Sequence, residues 1–162
     1  MNELKTVTSQ YIALEDRLRL LGETAAGQSY TLWLSGRLVR NLVPSLVSWL
    51  SSVGASPADH SLLQEVAKAK QPQCAPVVAQ AAAQAWLVHE MTVKDLGNTM
   101  ALVFSCHEPR AQVCWLLNNT GLRQWLNIVH SQLQEAQWAD IEWPDWLRPP
   151  AITEAPKGVA LH

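Results

Sequence analysis

The chain has 162 residues, with 12 Lys and Arg against 14 Asp and Glu and a formal charge of −2. That length fits one domain able to bury roughly 68–70% of the surface its unfolded chain exposes, so no metal or crosslink is needed to hold a core. The near-neutral balance supplies no overall positive field for a phosphate backbone, which argues against nucleic-acid binding. Only 16% of residues are charged, against roughly 25% in ordinary soluble domains.

From the N-terminus, MNELKTVTSQYIALEDRLRL lacks the basic start and unbroken apolar run of a secretory signal. The long uncharged run from Leu42 to Ala58 holds two prolines and several serines, unlike a membrane span. A cytoplasmic location without membrane insertion is expected. Ile12, Leu14, Leu18 and Leu20 alternate with Glu15, Arg17 and Arg19, which predicts a strand interrupted at Asp16. The turn residues of GETAAGQS separate it from a second strand carrying Tyr30, Leu32 and Leu34, so the pair reads as an antiparallel hairpin. Ser35 is positioned to cap a helix in which Leu38, Leu42, Val43, Leu46, Val47 and Leu50 form one stripe. Pro44 either kinks that helix or restarts it.

After the crossover SSVGASPADH, HSLLQEVAKAK reads as a short helix with Leu62, Leu63 and Val66 near one face. QPQCAPVVAQAAAQ is compatible with a helix after Pro76 or with a linker packed across the fold. Three antiparallel strands follow in AWLVHEMTVKDL, TMALVFSC and AQVCWLL, separated by the turns LGNT and HEPR. Thr120 is placed to cap a last helix with a stripe of Leu122, Trp125, Leu126, Val129 and Leu133. The expected fold is therefore α+β, a mainly antiparallel sheet of about five strands with helices packed on one face, compatible with two β-β-α units. It forms a single domain over residues 1–147 with a variable crossover around 54–85, and residues 148–162, RPPAITEAPKGVALH, read as a flexible tail.

Reactive residues are sparse. Cys74, Cys106 and Cys114 form no CxxC pair and no closed set of disulfides, so reduced structural thiols are expected. Cys106, His107 and Glu108 are the densest reactive group, with His89 as a further candidate and Cys114 able to approach across the HEPR hairpin. Extended neighbours point to opposite faces, however, so all three of the triplet cannot face one reaction centre. The adjacent carboxylates Glu15 and Asp16 diverge in the same way. No HExxH, metal-ligand cluster, GxGxxG or P-loop is present, and no cofactor is expected. Arg17, Arg19, Arg37 and Arg40 could gather into a small anion patch, with Glu15 and Asp16 competing for them.

The most distinctive segment is WADIEWPDW, which combines Trp138, Trp143 and Trp146 with Asp140, Glu142 and Asp145. Indoles supply buried anchors and carboxylates orient a basic partner, although the same indoles could close the chain's own core. With 8 tryptophans and few charges, the leading expectation is a protein-interaction, assembly or regulatory domain, self-associating or bound to another protein. The alternatives are a small thiol- or metal-dependent enzyme near Cys106 and His107, and a small-ligand sensor coupled to oligomerisation.

Overall fold

The computed structural model describes residues 1–52, 56–80, 83–107, 110–138 and 140–148. Strands β1 (Asn2–Ile12), β2 (Arg17–Thr24) and β3 (Ser29–Ser35) make an antiparallel meander. The first turn forms because Asp16 tolerates a left-handed backbone at φ 48, with the amides of Glu15 and Asp16 bonded to the carbonyls of Ile12 and Ala13. The alternation expected from Ile12 to Leu20 therefore spans two strands: Leu14 and Asp16 lie in the turn, with Leu14 exposed. At the second turn Gly27, at φ 80, closes Thr24–Gln28.

Helix α1 (Gly36–Ser52) runs continuously through Pro44, with Ser35 Oγ accepting from the Leu38 amide at its start. Helix α2 (Pro57–Ala69) begins in a reciprocal cap: Ser56 accepts from the Asp59 amide, and the Asp59 side chain accepts from the Ser56 amide. Residues 71–80 carry neither helix nor strand; the Val77 amide donates to Thr8 Oγ1, which ties this stretch to β1. AWLVHEMTVKDL forms two strands instead of one, β4 (Gln84–Leu87) and β5 (Glu90–Asp95), followed by β6 (Thr99–Cys106) and β7 (Ala111–Asn118). Helix α3 (Asn119–Gln132) is capped by Asn118, whose Oδ1 accepts from the Gly121 amide. Thr120, the expected cap, lies inside the first turn instead. Residues 149–162, most of the expected tail, lie outside the described residues.

Among the described residues, seven strands join one mixed sheet in the order β4-β3-β2-β1-β7-β6-β5, with three helices on one face. Most pairs are antiparallel; β1–β7 and β3–β4 are parallel. Each antiparallel meander, β1-β2-β3 and β5-β6-β7, leads directly into a helix. The two edge strands are consecutive in the chain, which dictates the curvature. Seven flat strands would separate their edges by roughly 29 Å, whereas the bonds from Leu87 to Glu90 span at most about 11 Å. The sheet must therefore curl until its edges meet at that corner. There, the Val88 amide donates to the Trp33 carbonyl of β3 and the His89 amide to the Ser105 carbonyl of β6, which is why one predicted strand becomes two.

The concave face carries Leu18 and Leu20, paired in register with Leu34 and Leu32, and Leu102 and Phe104, paired with Trp115 and Val113. Against them α1 buries Val39, Leu42, Val43, Leu46 and Leu50, and α3 buries Leu122, Trp125, Leu126 and Val129. These buried sets follow the predicted stripes except that Val39 is buried while Leu38 and Val47 are only partly so, and they account for most of the apolar burial of the helices. Trp125 also edges against Trp115 and donates its indole N–H to buried Ser9 Oγ at 2.8 Å. That bond satisfies a polar group the core would otherwise strand. Among the described residues, no helix is long and apolar enough to cross a membrane.

Candidate interaction site

Helix α2 is inside out. Its buried residues are His60, Gln64 and Ala67, spaced four and three apart on one face. His60 is 5% exposed and Gln64 1%. The apolar residues turn away from the protein: Leu62 is 64% exposed, Leu63 41% and Val66 41%. The sequence stripe is real, but it points to solvent. Scattered exposed apolar residues need no explanation, whereas three on adjacent turns of one helix form a contiguous patch.

Polar groups hold the inward face to α3. Gln64 Nε2 donates to the Arg123 carbonyl and Gln124 Nε2 to the Ala67 carbonyl, each at 2.9 Å. The buried Arg123 guanidinium donates from Nε to Asn119 Oδ1 at 2.9 Å, from Nη1 to the His60 carbonyl at 3.4 Å, and from Nη2 to His60 Nδ1 at 2.8 Å. Because a guanidinium only donates, His60 Nδ1 is the acceptor and the ring is neutral there. Burial and then the Arg123 charge hold the His60 pKa below its ordinary value, against a smaller opposing pull from Asp59. These bonds fix the rotation of α2 about its axis, and the rotation they fix sends the leucines outward.

One end of the tryptophan segment braces this seam. Trp146 stacks on His60 with centroids 5.4 Å apart and lies 5.1 Å from the Arg123 guanidinium carbon. Trp143 meets His130 edge-on at 4.9 Å. Trp138 meets Tyr11 edge-on at 5.6 Å and donates to Asp16 Oδ1 at 3.0 Å. It packs so closely over Gly36 that a Cβ there would sit 2.9 Å from the indole. Asp140 pairs with Arg40 at 2.8 Å, whose hydrogen bond holds the carboxyl below the usual range. Ile141 and Leu147 are buried, and all three indoles are half-buried against the chain's own core. Glu142 and Asp145 are exposed.

Of the reactive candidates, His89 and His107 come together, whereas the thiols do not. Cys106 points into the buried concave face in register with Ala111, while Cys114 pairs with Val103. The two thiols are thus three rungs apart on opposite faces, and the expected approach across the hairpin does not occur. Burial also pushes the Cys114 thiol up. His107 is exposed and stacks on His89 at 3.6 Å, and Glu108 lies outside the described residues. The described residues contain no group of three or more His, Cys, Asp or Glu placed to hold a metal. Two of the four candidate arginines are engaged: Arg19 bonds Gln10 and lies over Trp33, while Arg40 is taken by Asp140.

A second concave feature lies where the parallel strands separate. β1 and β7 pair only from Asn2 to Leu4; beyond that they splay, and a cleft of about 510 Å³ opens between them. Trp115 and Trp125 line it, with Lys5, Thr8, Cys74 and Asn118 among its polar walls. Comparison with protein-family models, with characterised protein sequences and with solved structures gives no match.

Proposed function

We propose that the protein is an interaction domain whose docking surface is the outward face of α2. The observation that carries this reading is the inverted helix: leucines at positions 62 and 63 and valine at 66 face solvent, while histidine and glutamine are buried. Full burial of a side chain of this size is worth about 1.5–3 kcal/mol, and a partner helix or sheet edge would recover the share that these partly exposed residues forgo. In this reading Trp146, stacked on His60 and against Arg123, is the brace that keeps α2 in its orientation.

The test is site-specific photocrosslinking in the cell that makes the protein. A crosslinking side chain at position 62 is expected to give a discrete adduct, and one at position 14, in the exposed β1–β2 turn, none. Equal yields from both positions would remove the surface. The cleft favours a second reading, a ligand sensor, because its volume lies in the range of small-molecule sites and two indoles would report occupancy. That reading expects a saturable fluorescence change with a small aromatic compound, lost in Trp125→Phe.

A further inference from the structure

We infer that the occupant of the α2 face is a second copy of this chain, docked antiparallel across a two-fold axis; the inference rests on the interaction reading above. Asp59, Leu63, Val66 and Lys70 follow one another at spacings of four, three and four, so they form one stripe on a helix of about 3.6 residues per turn. Asp59 and Lys70 lie at opposite ends of that stripe, about three turns apart, and the apolar residues lie between them. A stripe that is acidic at one end, apolar in the middle and basic at the other is complementary to itself when reversed.

Two-fold symmetry requires that the same patch serve both sides. Reversing α2 on itself places Leu63 opposite the copy's Val66 and Asp59 opposite the copy's Lys70, twice over. A parallel arrangement would set Asp59 against Asp59 and Lys70 against Lys70, which like-charge repulsion disfavours. The other charges are already engaged within the helix: Lys68 pairs with Glu65 at 3.5 Å. Lys70, by contrast, has no ion pair among the described residues and is exposed. Asp59 uses Oδ2 for the Ser56 cap, leaving Oδ1 to face a partner.

The helix has 13 residues and is about 20 Å long, so the contact belongs to the small interfaces, under roughly 1,200 Å², that support reversible association. A dissociation constant of roughly 10–500 µM is expected. Sedimentation equilibrium of the full chain, from about 5 µM to about 1 mM, is expected to show a rise from 18.0 kDa toward twice that mass. Leu63→Glu, which faces solvent in the monomer, is expected to hold the chain at the monomer mass with an unchanged circular-dichroism spectrum.

Charge reversal then tests the geometry. Asp59→Lys alone and Lys70→Asp alone are each expected to weaken self-association by at least about tenfold, and an equimolar mixture of the two is expected to form a mixed dimer. Should Asp59→Lys unwind the first turn, Leu63→Glu and Lys70→Asp, both outside the Ser56–Asp59 cap, carry the test. A chain that stays monomeric over the whole range overturns the second copy, as does a dimer indifferent to Leu63→Glu. A crosslink from position 62 to a different protein would then leave the interaction reading standing; no crosslink would sink both.

Discussion

Helices α1 and α2 follow each other in the chain and are both amphipathic, yet they use their apolar faces in opposite ways. α1 buries Val39, Leu42, Val43, Leu46 and Leu50 against the concave sheet, and its orientation follows the burial of that apolar stripe. α2 buries His60, Gln64 and Ala67 and is oriented by hydrogen bonds to α3. The difference teaches that an apolar stripe fixes which residues share a face, but not which way the face turns. Where the neighbouring surface offers a carbonyl and a guanidinium, as α3 does at Arg123, polar residues become the buried set.

The largest effect should separate the two stripes. Leu46→Ala opens a cavity in a fully buried site and is expected to cost about 2–5 kcal/mol. Leu62→Ala on α2 is expected to change monomer stability by less than about 0.5 kcal/mol while weakening association. Urea unfolding of both variants at low protein concentration checks this. Comparable losses would mean that Leu62 is buried in the folded monomer and that α2 is not inverted.

The polar seam is the next target. Arg123→Ala leaves His60 Nδ1 and the Asn119 side chain without the donors they have now, and it removes the group under Trp146. The expected loss is about 1–3 kcal/mol for the stranded polar groups. It should be local: hydrogen exchange of the α2 amides is expected to accelerate, with the β6 amides unchanged. Uniform acceleration through the sheet would show that the seam supports the whole core instead of the position of one helix.

Much of this architecture is legible in the residues. The stripes of α1 and α3, the hairpin turn at GETAAGQS and the strands of the second half are local patterns, and local patterns are what periodicity reports. The split at Val88 and His89 is not legible, because AWLVHEMTVKDL reads as one extended run. Its division comes from two carbonyls, of Trp33 and Ser105, brought together only when the sheet curls. The cap at Asn118 was masked by Thr120 two residues on, an equally good capping type. The set Leu62, Leu63 and Val66 is visible as a face of α2, but its outward direction depends on Arg123, nearly 60 positions away. The tryptophan segment stands out by composition, yet nothing in it specifies His60 and Arg123 as its neighbours.

The smallest effect should come from acid. His60 accepts from Arg123 in its neutral form, and its pKa is held low by burial and by that charge. The unfolded chain, with His60 near 6.5, therefore takes up a proton before the folded one does. The seam's contribution to stability is full above that pH and is lost as pH falls from there through the lower folded value. His130, also held low by burial first, then by Arg148 and Lys68, titrates in the same direction, so the whole-chain slope does not isolate His60. His60→Asn separates them, since an amide oxygen can take the place of Nδ1 without titrating. Melting temperatures recorded between about pH 7.5 and pH 5 are expected to fall for both proteins, and less steeply for the variant. Asp59 and Asp140, both held below the usual carboxylate range, lose their contributions only at more acid pH and do not enter this window. Parallel curves for the two proteins would show that His60 is not an obligatory acceptor, and the rotation of α2 would then have to be set by Gln64 and Gln124 alone.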